Sequence, residues 1–354
     1  MTTIDLRSDT VTQPTEAMRR AMMEAEVGDD GRVGPDGKGE DPTMNRLEAM
    51  AASILGKERS LFVPSGTMGN LVALMTHCRR GDHLVLGGNA HIYRNEKGPF
   101  MDDIAGLIPI TIPDPEGKMD LKLLEKALKT QPVRLVCVEN THNYSGGSVS
   151  PPAYLRRVKD LAQVHGVPVH MDGARIFNAA TTLGIEARAL AECVDTVMFC
   201  LSKGLSAPVG SMLVGSEEFI LRARERRKLL GGQMRQAGVL AAAGIEALNS
   251  MVSRLAEDHR KAKVLAQALS GIDGLVILGS AQSNMVKLDI SGLNLTAKEF
   301  QAEMAKRNVK VHLVSSTEIR LVAHKDVSEE DCLLASQIIA QFSKERVLSM
   351  AAKK

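Results

Sequence analysis

Between residues 60 and 215 short continuous apolar runs alternate with longer amphipathic stretches, without an internal sequence repeat. The runs are Ser60–Pro64, His83–Leu86, Leu107–Ile112, Leu135–Glu139, Val167–Met171, Thr196–Leu201 and Met212–Val214. They are rich in Val, Ile, Leu and Phe and do not alternate strictly with polar residues, which is how strands covered on both faces look. Helices are predicted between them at Thr67–His77, Asp120–Lys129, Pro152–His165 and Glu186–Glu192. Leu121, Leu124 and Leu128 follow the helical period and form one apolar face. Such alternation predicts an α/β fold, a mostly parallel seven-stranded sheet sandwiched by crossover helices.

After residue 215 the texture changes. Glu217–Leu230 is a basic helix carrying Arg222, Arg224, Arg226, Arg227 and Lys228. Glu217, Glu218 and Glu225 interrupt the charge, so the helix is expected to be solvated or to face another subunit. Arg235–Ala268 reads as a long helical region bent near Gly244. Strands at Leu275–Leu278, Asn284–Leu288, Val309–Leu313 and Glu318–Leu321, with helices at Thr296–Arg307 and Glu329–Lys344, predict a small C-terminal α+β domain. The expected division is an N-terminal arm and first helix over 1–30, a large cofactor-binding domain over 31–255 and the small domain over 256–354. Gly28–Gly39, GDDGRVGPDGKG, has five glycines in twelve residues and reads as an irregular loop.

Composition narrows the partners. Lys plus Arg at 44 against Asp plus Glu at 42 leaves +2, with no basic block at either end. Neither nucleic acid nor anionic lipid is therefore expected. Cys78, Cys137, Cys193, Cys200 and Cys332 are scattered and odd in number, which speaks for buried thiols in a reducing compartment. The opening MTTIDLRSDTVTQP lacks the apolar core of a signal peptide, and no run approaches the ~18 apolar residues of a membrane span. A soluble cytoplasmic protein is the expectation.

In sheets of this kind ligands gather at the carboxyl ends of the strands. Ser65-Gly66-Thr67 follows one run and opens a helix, which suits either a phosphate or a plain N-cap. Asp172 ends another run, where a carboxylate needs a partner: Arg175 as an ion pair, or a protonated heteroaromatic nitrogen. Lys203 ends a third, and either forms a Schiff base or extends to solvent. His91 could stack on a planar ligand, relay a proton or simply sit at the surface. His142, in Glu139–Asn143, is a candidate base because imidazole titrates nearest neutrality. A phosphate cradle, a strand-end aspartate and a strand-end lysine on one sheet edge together match what pyridoxal phosphate requires. No H-E-x-x-H or His/Cys cluster is present, so no metal is expected.

SDTVTQPT (8–15), GEDPT (39–43), VPSGTMGN (63–70), HIYRNE (91–96), ENTHN (139–143), HMDGARIFNAA (170–180), CLSKGLSAPVGSMLVG (200–215) and GGQMRQAGVLAAAG (231–244) resemble the low-specificity L-threonine aldolases. The likeness runs from about residue 4 to 330. It implies an aspartate-aminotransferase-like, fold type I enzyme that uses pyridoxal 5′-phosphate and forms a homotetramer built from close dimers. By the resemblance, Lys203 is the internal-aldimine lysine, Asp172 meets the pyridinium nitrogen, Arg175 lies on the phenolate side and His91 stacks on the ring. Ser65, Gly66 and Thr67 are expected around the phosphate, helped by Arg235 of a neighbouring subunit. Ser8 and Arg320 would clamp the substrate carboxylate, with His142 near its β-hydroxyl. The base stays open between His142, His91 and an ordered water.

The implied reaction is cleavage of L-threonine or L-allo-threonine to glycine and acetaldehyde. Another pyridoxal reaction on a small L-amino acid, such as β-elimination or transamination, and a noncatalytic binding role are the alternatives. Gly31–Lys38 departs from the family pattern by lengthening the loop before GEDPT. That loop is expected near the site mouth and subunit interface, altering access or bulging into solvent.

Overall fold

The computed structural model describes residues 3–351. Strand β1 is Ile4–Asp5, and seven strands follow: β2 (Arg59–Val63), β3 (His83–Gly87), β4 (Ile108–Ile112), β5 (Val133–Glu139), β6 (Val169–Asp172), β7 (Thr196–Cys200) and β8 (Ser211–Gly215). These seven form one sheet in the order β2-β8-β7-β6-β5-β3-β4. Strand β8 is antiparallel to both neighbours and every other pair is parallel. The predicted mostly parallel, seven-stranded α/β fold is borne out. Because β8 alone runs backwards, the carboxyl ends of β2, β3, β5, β6 and β7 all lie along one edge.

The continuous apolar runs have a direct cause. Phe62, Val85, Val136, Val138, Val169, Met171, Val197 and Phe199 enter the core on one sheet face. Their alternates Leu61, Val63, Leu84, Leu86, Leu135, Cys137, Met198 and Cys200 pack on the other, against Val72, Ala73 and Leu74 of helix Gly66–His77. That helix lies close to the sheet: a Cβ on Gly69 would stand 2.7 Å from Met198 Cγ.

The C-terminal part adds β9 (Val276–Ile277), β10 (Met285–Asp289), β11 (Val309–Lys310), β12 (His312–Leu313) and β13 (Glu318–Val322). A four-stranded antiparallel sheet, β12-β13-β10-β9, packs with helices Leu255–Leu269, Ala297–Lys306 and Glu329–Ala351 around its own core. The start of the chain joins this unit, since β1 pairs in parallel with β11 and Ile4 and Leu6 enter the same core.

Three expectations are corrected. The long helix does not bend at Gly244. It runs Gly238–Glu246, passes through a π-turn over Ala247–Met251, and turns by 67° before Leu255–Leu269. Gly244 serves close packing instead, because a Cβ there would meet Leu47 Cδ2 at 2.9 Å. The strand predicted at Val309–Leu313 is two short strands in different sheets, one facing β1 and one facing β13. The basic helix Glu217–Leu229 is not merely solvated, for Arg224 and Arg227 are buried. Arg227 Nη2 donates to Asp30 Oδ2 at 2.7 Å, and Arg224 donates to Asp30 and Glu48 at 3.2 and 2.6 Å. This network anchors the start of the glycine-rich loop, whose residues 32–36 are exposed. Among the described residues no single helix is long and apolar enough to cross a membrane.

Candidate active site

The carboxyl edge of the sheet gathers most of the expected residues. Asp172, the last residue of β6, is buried and accepts from Asn70 Nδ2 and from the Ala174 amide, both at 3.1 Å. Lys203 lies in the turn after β7, half-buried, and its carbonyl accepts from Thr12 Oγ1 at 3.1 Å. Ser65 caps helix Gly66–His77 by accepting from the Met68 amide at 3.1 Å. Gly66 is required there, since a Cβ would stand 2.9 Å from Cys200 Sγ. The exposed Ser65 and Thr67 therefore flank a helix N-terminus whose first-turn amides point outward, a geometry suited to phosphate.

Arg175 pairs with Asp9, not with Asp172. Its Nε and Nη2 donate to the two Asp9 oxygens, each at 2.7 Å, in a buried bidentate pair. Burial would raise the Asp9 carboxyl, but the Arg175 charge and hydrogen bonds, with Lys203 and Asn284, hold it well below the usual carboxylate range. Asp172 has its oxygens taken by other donors, and the Gly173-Ala174 turn carries Arg175 towards the N-terminal segment. Asn284 Nδ2 also donates to Asp9 Oδ2 at 3.2 Å, so one carboxylate ties the N-terminal arm, the large sheet and the C-terminal sheet together.

Arg320, on β13, is only 5% exposed. Its Nη1 donates to Asn143 Oδ1 at 2.5 Å, and Arg175 Nη1 approaches the same oxygen at 3.5 Å. Burial pushes the Arg320 guanidinium down to about 10, with the Arg175 charge adding to the effect. Its buried Nε has no hydrogen-bond partner. A buried guanidinium with an unused donor fits a carboxylate ligand. Ser8 lies in the N-terminal arm, donating to Asp9 Oδ1 at 3.4 Å.

The two histidines differ in setting. His91 follows β3; its amide donates to Glu139 Oε2 at 2.6 Å and its Nδ1 lies 3.1 Å from Glu96 Oε1. Burial works against its protonation, but the Glu96 hydrogen bond and the charges of Asp172, Glu139 and Glu96 leave the imidazole above its ordinary value. His142 is 2% exposed, with Nε2 3.1 Å from Asp114 and 3.8 Å from Glu139. Burial is again outweighed, here by Glu139 and Asp114, and its titration moves up. Arg235 stands apart, largely exposed and held to Asp29 at 3.0 Å.

Asp9, Asn70, Glu96, Glu139 and Asn143 took no individual role from sequence, although all five lie inside the motifs quoted for the resemblance and Glu139 closes an apolar run. Nothing local marks Asp9 as the partner of a residue 166 positions away. His91, Glu96 and Asp172 bring ligand-type atoms within 4.8 Å of one another, a grouping that local motifs do not reveal. Donors from Asn70 and His91 already serve the two carboxylates.

A family model described as beta-eliminating lyase matches residues 5–291. Low-specificity L-threonine aldolase 1 of Arabidopsis thaliana is 44% identical over 342 residues, 94% of each chain. Among solved structures, a Leishmania major threonine aldolase superposes with a TM-score of 0.79 at 18% identity, covering 96% of this chain and 99% of the other. An aspartate aminotransferase from Rhodobacter sphaeroides gives 0.76 at 18% identity, with 98% and 94% covered. The last two carry the fold, and the first two carry the kinship: the chain belongs to the beta-eliminating lyase family and, within it, with the low-specificity L-threonine aldolases.

Proposed function

We propose that the protein cleaves L-threonine and L-allo-threonine to glycine and acetaldehyde, and runs the reverse addition, with pyridoxal 5′-phosphate bound at Lys203. The observation that carries this reading is Arg320. It is a buried arginine with a free donor, set beside Arg175 on the edge that also presents Lys203 and Asp172. When bound, the cofactor supplies an electron sink for the charge left at Cα as the Cα–Cβ bond opens.

The chain's residues do the rest. Asp172 meets the ring nitrogen, Arg175 the phenolate side, and His91 the ring face. Ser65, Gly66 and Thr67 hold the phosphate, with Arg235 from a neighbouring subunit. Arg320 and Ser8 grip the substrate carboxylate, so that the bond to be broken is presented in one orientation. The hydroxyl proton passes to His91, His142 or an ordered water; of the two rings His91 is the more open, and His142 Nε2 lies 3.8 Å from Glu139 Oε2. Support for a homotetramer of close dimers is Arg235 itself, whose side chain is 68% exposed. The large body is assigned to 31–255 and the small one to 256–354, as the separate C-terminal core suggests. A cytoplasmic location is supported by five cysteines that are all free and buried.

The family model's name favours one second reading, β-elimination. Reconstituted protein is expected to release acetaldehyde from L-threonine with equal glycine, and the Lys203→Ala variant to release none. Ammonia and a 2-oxo acid from L-serine, with no aldehyde from threonine, would replace the aldolase reading by elimination.

A further inference from the structure

His170 and Asp172 are two apart on β6 and so point to the same sheet face. That face carries helix Gly66–His77, on which Asn70 and His77 stand seven residues, about two turns, apart along one side. Thr196 lies directly beside His170 on the adjacent β7. These side chains join end to end. Asn70 Nδ2 is 3.1 Å from Asp172 Oδ2, and Asn70 Oδ1 is 3.2 Å from His170 Nε2. His170 Nδ1 is 2.9 Å from Thr196 Oγ1, which is 2.9 Å from His77 Nε2. Asn70 and His170 are wholly buried and Thr196 nearly so.

Chemistry sets the direction of every link. Two carboxylates, Asp172 and Glu96, face the same end of Asn70, at 3.1 and 2.9 Å. A carboxylate only accepts, so that end is the amide NH2 and both its hydrogens are used. The amide oxygen then faces His170 and needs a donor, which places the His170 proton on Nε2. His170 Nδ1 becomes an acceptor for the Thr196 hydroxyl, and the Thr196 oxygen receives the Nε2–H of His77. Both rings have one proton to place, because burial pushes His170 down to about 3 and His77 down to about 4.

We infer that His77, Thr196, His170 and Asn70 form a one-way hydrogen-bond relay, every donor pointing towards Asp172, and that they are positioning residues for the carboxylate that meets the cofactor ring. The inference rests on the role proposed above for Asp172. The two carboxylates set which end of Asn70 faces them, and the His170 donor on its oxygen fixes where the amide sits. Breaking the relay leaves that buried oxygen without its donor, so the amide shifts, its hydrogen bond to Asp172 weakens and the grip on the ring nitrogen would loosen.

Two measurements test it. Nitrogen-15 NMR of histidine-labelled apoprotein at neutral pH should show His170 and His77 both neutral and both protonated on Nε2. Titration of apoprotein with pyridoxal 5′-phosphate should give a dissociation constant about tenfold higher for Thr196→Val and His170→Phe, the scale of one hydrogen bond to a charged group. His170 protonated on Nδ1 in the unmutated protein, or cofactor affinity unchanged in folded Thr196→Val, would overturn the relay. The tautomer reading needs no variant to fold. Asp172→Asn separates the two ideas: unchanged cofactor affinity and absorbance there would sink the role of Asp172, whereas a loss there with an unaffected Thr196→Val would sink the relay alone.

Discussion

At the scale of single residues the site is governed by what buried charges need. Arg320 is already hydrogen-bonded to Asn143 and still has an unused Nε, so its planar fork and not its charge alone is the feature that selects a carboxylate. Arg320→Lys is accordingly expected to raise the KM for L-threonine by about tenfold or more, with a smaller change in kcat. Steady-state kinetics check this, and an unchanged KM would remove Arg320 from substrate binding. His142 carries a pH signature. Burial opposes its charge, but Glu139 and Asp114, with Asp172 further off, raise its titration above the ordinary imidazole value of ~6.5. A raised folded-state value means that its protonation stabilises the fold fully below the unfolded value. That contribution is lost as pH climbs through the folded one. The stability gap between the unmutated protein and His142→Asn should therefore shrink between about pH 6 and pH 9, as urea unfolding at the two pH values would measure.

At the scale of elements, the basic helix Glu217–Leu229 shows how a charge run can mislead. Its spacing and interrupting glutamates read as a wet face, yet Arg224 and Arg227 turn inward to Asp30 and Glu48. Arg227 Nη1 also donates to the Phe62 carbonyl at 2.8 Å, so the helix is bound to both the sheet and the glycine-rich loop. Removing Arg227 leaves Asp30 Oδ2 and the Phe62 carbonyl buried without that donor, while Arg224 still holds Asp30 Oδ1. Arg227→Met is expected to cost about 1–3 kcal/mol, and adding Asp30→Leu to recover only part of it, because Arg224 then loses a partner. Denaturant unfolding of the single and double variants measures both. A cost under about 1 kcal/mol for the single variant would mean that the network contributes little.

At the scale of the whole molecule, the site is a meeting place. Asp9 from the N-terminal arm, Arg175 from the large sheet's edge and Asn284 from beside the C-terminal sheet share one carboxylate, and Arg320 reaches in from β13. The proposed phosphate contact from a neighbouring subunit's Arg235 gives a test by mixing. Lys203→Ala and Arg235→Ala chains, unfolded and refolded together, should regain activity that neither has separately, because one site per hybrid pair has an intact lysine and an intact partner arginine. No recovery in confirmed hybrids would place Arg235 in its own chain's site or outside the site altogether.

Much of this was legible in one dimension. The seven strand runs, the helix opening at Gly66 and the strand-end positions of Asp172 and Lys203 follow from local rules: apolar periodicity, N-capping and the carboxyl-edge rule. Each depends on residues within a few positions of one another, so the sequence by itself determined the sheet and which of its ends carries the chemistry. Tertiary structure alone decided the pairings. Arg175 could have met Asp172 three residues away and instead met Asp9, while Asn70 came to lie between His170 and two carboxylates. Such choices turn on which donor reaches a buried acceptor first, and that is set by how helices and strands stack in space.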